Sequence, residues 1–433
     1  MVIDLGAGFY SNRLRTCILI CIACIFLMKS GVKFSNELFI MLEAAVGFAA
    51  GAACAAALYY VVAQRLTRRS DTEPALVQDP EIWAARHHGA RASVDPGYYA
   101  FYSSVAGAIT TNVALMAVPI DDHCIVRGHA VFDTCSLVGG RMYRLQIHLD
   151  RLFASAKAAR LPLPFGDDEA ANRSRMTAIV RATCKASGKS DCDVRFWLTA
   201  GTGNLGVTPA GCRPSFFVLC FGGLPALKTA ALDGSIAEVT IPESVVPLKP
   251  PHLAQLKSNN YLLNALTMMA AAERGGTFGI GVTSSGYLTE SCVLNVIVVG
   301  KDGALRTPPF EGILCGTTVR RVFELARQHL VGSAVAGSAV AGSAVAGSAV
   351  VGSAVVGSRW ALLSDVRQEP IRADEARDAA ELMLVAGDTH VCPITTLDGH
   401  KIGSGKPGPV FAALKRLLEE DAGAASGEHI EAL

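Results

Sequence analysis

The sequence predicts a two-domain α/β protein, and three observations carry that prediction. The chain has 433 residues and is 51% apolar, enough to fill two ordinary cores. Short apolar runs of strand character alternate with stretches of helical periodicity, in one series from Tyr98 to Cys220 and in a second from Ile236 to Glu420. A break marked by turn formers, Gly222-Gly-Leu-Pro225, separates the two series. Residues 98–223 are therefore expected to form a small α/β domain and 224–422 a larger one, with 423–433 as a tail.

Residues 1–69 read as a hydrophobic N-terminal leader or membrane anchor. Cys17–Met28 follows Arg13 and Arg15 and has the length of a signal-peptide core, but no Ala-x-Ala cleavage pattern comes after it. Ala44–Ala63 is twenty residues without a charge, long enough as a helix to span a hydrocarbon core of about 30 Å. Arg65, Arg68 and Arg69 follow directly, which places the downstream chain on the cytosolic or organellar-interior side of such a membrane. An organelle-targeting leader that is removed, or a spurious extension of the chain, is the alternative. Residues 70–97, punctuated by Glu73-Pro, Asp79-Pro and Asp95-Pro, read as a linker or extended arm.

In the small domain, Ala114–Ile120 and Cys124–Val126 read as strands, as does Ala130–Val138 before the Gly139-Gly140 turn. Leu145–Ala159 carries apolar residues at Ile147, Leu149, Leu152, Phe153 and Ala156 and reads as a helix, followed by another over about 168–187. Val194–Thr199 and Ser215–Cys220 read as strands. Between them, Gly201-Thr-Gly-Asn-Leu-Gly206 spells a dinucleotide-binding fingerprint. Val207-Thr-Pro-Ala-Gly stands where the pyrophosphate would need a helix N-terminus, so the segment reads as a turn.

The larger domain opens with a strand over Ile236–Ile241 and continues with a helix over Asn260–Arg274, strands over Gly279–Val282 and Val293–Val299, and a helix from Gly316-Thr-Thr-Val319 to about Leu330. Residues 331–358 are a five-residue repeat, Gly-Ser-Ala-Val-Ala with Val variants, expected to be a low-complexity insertion in a surface loop. A short helix over Ala373–Ala380, a strand over Leu382–Val385 and a helix over Val410–Glu420 complete the domain.

Composition narrows the function. A formal charge of +1 supplies no field for nucleic acid, and no nucleic-acid motif interleaves basic and aromatic residues, so small-molecule partners are favoured. Thirteen cysteines without a recurring spacing read as free thiols. No metal site is expected: Cys21-Ile-Ala-Cys24 lies inside an apolar run, and His87-His88 has no acidic or cysteine company.

The stretch that carries chemistry is His252-Leu-Ala-Gln-Leu-Lys-Ser-Asn-Asn-Tyr-Leu-Leu-Asn264. Lys257 has apolar flanks, and a lysine that loses its proton in such surroundings becomes a nucleophilic amine able to form Schiff bases with aldehydes. A glycine and two threonines at 316–318 open a helix and suit an anion, through free N–H groups, hydroxyls and the helix dipole; ordinary N-capping is the other reading.

Six blocks in order extend this reading: Arg127-Gly-His-Ala-Val-Phe-Asp133, His148-Leu-Asp-Arg-Leu-Phe-Ala-Ser-Ala156, Lys257-Ser-Asn-Asn-Tyr261, Leu288-Thr-Glu-Ser-Cys-Val-Leu-Asn295, Leu314-Cys-Gly-Thr-Thr318 and Ile402-Gly-Ser-Gly-Lys-Pro-Gly-Pro409. From about Ala114 to Leu418 the chain resembles the class IV pyridoxal-phosphate-dependent aminotransferases, which include branched-chain and D-amino-acid aminotransferases and aminodeoxychorismate lyase. The resemblance implies the two-domain α/β fold of that class (fold type IV), with pyridoxal 5'-phosphate between the domains. It implies a Schiff base on Lys257, which then moves a proton at the substrate Cα, and a Glu290 that keeps the pyridine nitrogen protonated. Arg151 would take the phosphate through its fork, with Gly316, Thr317 and Thr318 donating from the helix start. Tyr261 would meet the phenolic oxygen of the cofactor, while Arg195 and His129 would bind substrate.

The implied activity is transfer of an amino group from an amino acid, of branched-chain or D-amino-acid type, to a 2-oxo acid by a homodimer. The sequence departs from both templates. Arg195 matches the branched-chain enzymes, Ala200 stands where the D-amino-acid enzymes have a carboxylate-binding arginine, Asp193 replaces a tyrosine, and Ala386-Gly387 replaces a pair of small hydroxyl residues. His129, Trp197 and Tyr261 together look closest to the plant and algal D-amino-acid-aminotransferase-like group. The alternatives are a lyase of the aminodeoxychorismate lyase type and a membrane-tethered, catalytically inactive homologue; intact Lys257, Glu290 and Arg151 argue against the latter.

Overall fold

A computed structural model describes residues 76–91, 97–222, 235–332, 362–386, 391–424 and 430–431. The leader with Ala44–Ala63, the 223–225 part of the expected domain break, Gly387 and nearly all of the repeat lie outside the described residues. Among the described residues no helix is long and apolar enough to cross a membrane. The chain divides into two units, Met1–Ser93 and Val94–Leu433.

In the first unit, the stretch expected to be an extended arm contains a helix, α1 (Pro80–Arg91). Pro80 opens it, where a missing N–H costs no hydrogen bond, and the Asp79 carboxylate accepts from the Glu81 N–H at 2.8 Å. Pro80 thus starts a helix.

The second unit begins with β1 (Tyr98–Ser103), β2 (Ala108–Thr110), β3 (Ala130–Val138) and β4 (Arg141–Met142), then α2 (Leu145–Ala158) and α3 (Glu169–Ser187), then β5 (Cys192–Thr202) and β6 (Arg213–Phe221). These strands form an antiparallel sheet in the order β4-β3-β5-β6-β1-β2, with β17 (Ile430–Glu431) added beside β4. Because side chains alternate across a strand, Val131, Cys135 and Leu137 of β3 and Val194, Phe196 and Leu198 of β5 face α2 and α3 in one buried core. Phe132 and Arg195 occupy the opposite face.

Two segments read as strands from sequence are not strands. Residues 113–115 form a 3₁₀ turn capped by Asn112, whose Oδ1 accepts from the Ala114 N–H at 3.0 Å. His123–Val126 is a single helical turn capped by Asp122, which accepts from the Cys124 N–H at 2.9 Å. In both cases a short polar side chain satisfies backbone donors locally and outcompetes pairing.

A second sheet comprises β11 (Asn295–Val299), β12 (Ala304–Thr307), β13 (Asp365–Gln368), β14 (Glu381–Val385), β15 (Val391–Leu397) and β16 (His400–Lys401) in the order β13-β12-β11-β14-β15-β16. The run expected as one strand over Ile236–Ile241 splits in two. Its first half, β7 (Ile236–Glu238), pairs with β15, while β8 (Thr240–Pro242) joins a three-stranded sheet with β9 (Ile280–Val282) and β10 (Leu288–Ser291). The buried Glu238 carboxylate marks the division, accepting from the Phe278 and Gly279 N–H groups at 2.8 Å each.

Helices α4 (Leu262–Glu273), α5 (Thr317–His329) and α6 (Pro409–Gly423) complete the unit. Every residue of β11 is buried. Val296 and Val298 pack with Phe278, Ile280 and Leu288, whereas Ile297 and Val299 pack with α5 and α6. The second sheet is covered on both faces, which explains why its central strands read as unbroken apolar runs.

Candidate active site

The backbone that carries Lys257 is added to the start of β3, on the side that β4, paired only at Leu137 and Val138, leaves open. The Phe132 N–H donates to the Lys257 carbonyl at 2.9 Å, the Asn259 N–H donates to the Ala130 carbonyl at 3.0 Å, and Val131 and Ser258 form an antiparallel bridge. The lysine is half-buried, and its Nζ lies 4.9 Å from the centre of the Phe132 ring. Burial and the nearby Arg151 and Arg195 guanidiniums, opposed by Asp133 and Glu290, bring its pKa down to about 7. An amine in this environment is substantially neutral at physiological pH.

Glu290 sits in a β-bulge. Leu288 pairs with Val282 and Ser291 with Ile280, so one extra residue must be taken up on β10, and the bulge re-aims the Glu290 side chain. Its Oε2 accepts from the Leu314 N–H at 2.9 Å. Burial raises the carboxyl above its ordinary value, and the Leu314 N–H, Lys249 and Lys257 offset only part of that rise. Tyr261 follows on the lysine loop, with its ring edge 5.2 Å from Phe132 centre to centre, and burial raises its phenol. Lys249, Tyr261, Asn264, Glu290 and Leu314 line one small cavity of about 20 Å3, room for about one water.

Arg151 comes from α2 and corrects one expectation. Its Nε and Nη2 both donate to Asp133 at 2.7 Å, so the fork expected to take a phosphate is occupied by a buried carboxylate. Only Nη1 reaches onward, donating to the Cys315 carbonyl at 3.4 Å. His148 Nδ1 donates to the same carboxylate at 2.8 Å. Burial alone would push Asp133 up, but Arg151 and His148 hold it well below the usual carboxylate range. Removing one partner from a buried pair of this kind costs about 3–5 kcal/mol, so Arg151 is firmly fixed.

The Leu314–Thr318 segment runs from the Glu290 hydrogen bond to the start of α5. Gly316 is the N-cap and supplies no side-chain cap to the first N–H groups. Its backbone is extended, and what requires glycine is space: a Cβ would collide with Asn295 Oδ1, whose amide donates to the Leu314 carbonyl at 2.9 Å. Thr317 and Thr318 are buried, and among the described residues Thr317 Oγ1 has no hydrogen-bond partner. An unpartnered buried hydroxyl at a helix start without a side-chain cap fits an anionic group such as a phosphate.

The structure thus brings Lys257, Glu290, Tyr261 and Arg151 around one site, with the Gly316–Thr318 helix start adjoining Arg151 through Cys315. Arg195 also faces it, with its guanidinium stacked 5.1 Å from Phe132 and 5.3 Å from Phe221 and its Nε donating to Thr134 Oγ1 at 3.0 Å. His129 does not face it. Its ring is engaged at the end of α2, where Nε2 donates to the Ala159 carbonyl at 2.9 Å. Sequence reasoning also missed Asp133 as the partner of Arg151, and Lys249. The signal for Lys249 was a charge inside a stiff apolar arm, Pro247-Leu-Lys-Pro-Pro251. Arg151, Arg195 and Lys249 against Asp133 and Glu290 make three cations to two carboxylates, a surplus suited to anionic ligands.

Comparison with known proteins agrees with this chemistry. The family model for class IV amino-transferases matches residues 130–341. A chloroplastic D-amino-acid transaminase of Arabidopsis thaliana is 34% identical over 326 residues, covering 75% of this chain and 76% of that protein. The fold is shared with the branched-chain amino acid aminotransferase of Escherichia coli (TM-score 0.61, 20% identity, 78% of this chain and 100% of that one). It is shared also with a hypothetical aminotransferase of Mycobacterium tuberculosis in its pyridoxal-phosphate-bound form (TM-score 0.57, 21% identity, 75% and 99%). Its sequence, its fold and the chemistry around Lys257 agree: this chain belongs to the class IV aminotransferases, enzymes whose cofactor is pyridoxal 5'-phosphate.

Proposed function

We propose that this enzyme moves the amino group of a D-amino acid to a 2-oxo acid, with Lys257 as the residue that binds the cofactor and shuttles the proton. The observation that carries the chemistry is a lysine brought to a pKa of about 7 beside a carboxylate and an anion-ready helix start. The handedness rests on the similarity to the plant D-amino-acid transaminase. Arg195 and Tyr261, which match the branched-chain enzymes in sequence, favour L-branched-chain amino acids as the second reading.

When bound, pyridoxal phosphate supplies a carbonyl carbon for amines to attack and an electron-withdrawing ring that makes the substrate Cα proton acidic. This chain's residues do the rest. The Lys257 amine holds the cofactor and carries the proton to and from the substrate Cα. Glu290 keeps a proton on the ring nitrogen. Arg151 Nη1, the first N–H groups of α5 and the Thr317 hydroxyl hold the phosphate, and the Arg195 guanidinium binds the substrate carboxylate. The Phe132 ring lies against the amine, with Tyr261 packed edge-on to that ring. Pairing of two copies, implied by the family, is supported by an exposed apolar ridge on α4: Leu262, Leu266 and Met269 are 73%, 38% and 59% exposed at helical spacing.

The test is the visible absorption of the cofactor-loaded protein on separate addition of D-alanine, L-leucine and L-glutamate. Bleaching by D-alanine and recovery with a 2-oxo acid is the expected result. Bleaching by L-leucine alone would transfer the reading to branched-chain substrates, and no bleaching by any of the three would sink both.

Thr317→Val separates the phosphate role from a folding role. Because the Thr317 hydroxyl is buried and unpartnered, replacing it with a methyl should leave the apo protein as stable as before or more so. Cofactor affinity should nevertheless fall by about 1.5–3 kcal/mol, the worth of a hydrogen bond to a charged group. Thermal melting of apo and loaded forms distinguishes the two, and an unchanged affinity would remove Thr317 from the phosphate site.

A further inference from the structure

Lys249 has been given no role beyond its charge, yet it reaches the same site. It lies on the proline-stiffened arm that leads into the lysine loop, with prolines at 247, 250 and 251. Its Nζ is 4.9 Å from the centre of the Tyr261 ring, and it lines the cavity that also holds Glu290, Asn264 and Leu314. Asn264 Oδ1, in the same cavity, is buried without a hydrogen-bond partner among the described residues. A half-buried ammonium in an apolar arm is costly unless its charge is used.

Glu290 shows the use. The groups that face this carboxylate are the Leu314 N–H, Lys249 from the arm, and Lys257 and Tyr261 from the lysine loop. Those facing Lys249 are Glu290 and Cys292, with the Tyr261 ring against its ammonium. Of the two lysines, Lys257 must be neutral to act as an amine, so at that moment it gives Glu290 no countercharge. Lys249 lies on a separate arm and forms no bond to the cofactor; burial lowers its pKa, and the facing Glu290 and Cys292 oppose that by favouring its charged form.

We propose that Lys249 is a positioning residue for transamination: its ammonium, held against the Tyr261 ring in the Glu290 cavity, is the lasting countercharge that keeps Glu290 ionised and ready to hold the proton of the ring nitrogen. The proposal rests on the reading of Glu290 as the partner of that nitrogen.

The experiment uses holoenzyme loaded with pyridoxal phosphate labelled with 15N in the ring. It compares the wild type with Lys249→Met, Lys249→Arg, Glu290→Gln and the Lys249→Met/Glu290→Gln double variant. Lys249→Met should move the nitrogen signal toward the unprotonated position and slow the amino-acid half-reaction about tenfold or more, as loss of a site charge does. Lys249→Arg should restore both. In the Glu290→Gln background, Lys249→Met should change the rate by less than about twofold, because residues acting through one another are not additive. A wild-type nitrogen signal in Lys249→Met, no recovery in Lys249→Arg, or an equal rate loss in both backgrounds would overturn the proposal while leaving Glu290 in its role. A wild-type nitrogen signal in Glu290→Gln would instead overturn the role of Glu290, and that of Lys249 with it.

Discussion

Lys257→Ala should abolish transamination, lowering the half-reaction rate by more than roughly 10,000-fold, the upper end for loss of a single acid–base group. The loss is this large because the same amine both holds the cofactor and moves the proton. The fold should survive, since the hydrogen bonds that tie this segment to β3 are made by backbone atoms. Full activity in a purified, folded variant would refute the assignment. The environment of Lys257 adds a pH signature. With a folded pKa of about 7, the rate at which apo protein takes up pyridoxal phosphate should rise with pH through that value and level off above it. An unperturbed lysine would need a pH near about 10.4. The linked stability change has a definite sign. Between those two pH values the unfolded chain binds a proton at Lys257 that the folded one does not, so this residue makes apo stability rise as pH rises. Lys257→Ala should remove that rise.

Glu290→Gln should slow proton removal by roughly 100-fold or more while leaving cofactor bound, as loss of one preorganised electrostatic group does. The amide oxygen of glutamine can still accept from the Leu314 N–H, so the local backbone is preserved and the charge alone is removed. Without the carboxylate the ring nitrogen sheds its proton and the ring becomes a poorer acceptor of the electrons released at the substrate Cα. Single-turnover kinetics with the preferred amino acid provides the measurement. An unchanged rate constant with cofactor still bound would contradict the role.

The parts of the site that sequence makes legible are those where one residue carries its meaning locally. A lysine in an apolar loop, a glycine followed by two threonines at a helix start, and helix periodicity over Leu145–Ala158 need no knowledge of distant contacts. Where meaning depends on what folds against a residue, the reading falls short. The Arg151 fork looks open in sequence, because Asp133 lies 18 residues away on a different element and meets it only when α2 packs on β3. His129 looks like a site residue by its neighbours, but its ring is engaged by the Ala159 carbonyl at the end of α2. β12 and β13 escape notice for a related reason. Arg306, Asp365 and Arg367 interrupt their apolar pattern, and they become strands by pairing in parallel across the long interval that contains the repeat. The strand expected as Ile236–Ile241 is real as extended chain, and only the buried Glu238 reveals that two sheets share it.

The attachment of Lys257 to β3 makes the lysine loop a stitch between layers. Chain that leaves β8, in the three-stranded sheet, is sewn farther on by two backbone hydrogen bonds onto β3 of the first sheet, beside the Phe132 ring that lies against the amine. The reach of Nζ is therefore set by a seam and not by a freely swinging loop. A nucleophile mounted this way keeps its aim through thermal motion of either layer, because slippage that would spoil the alignment must first unpick the seam.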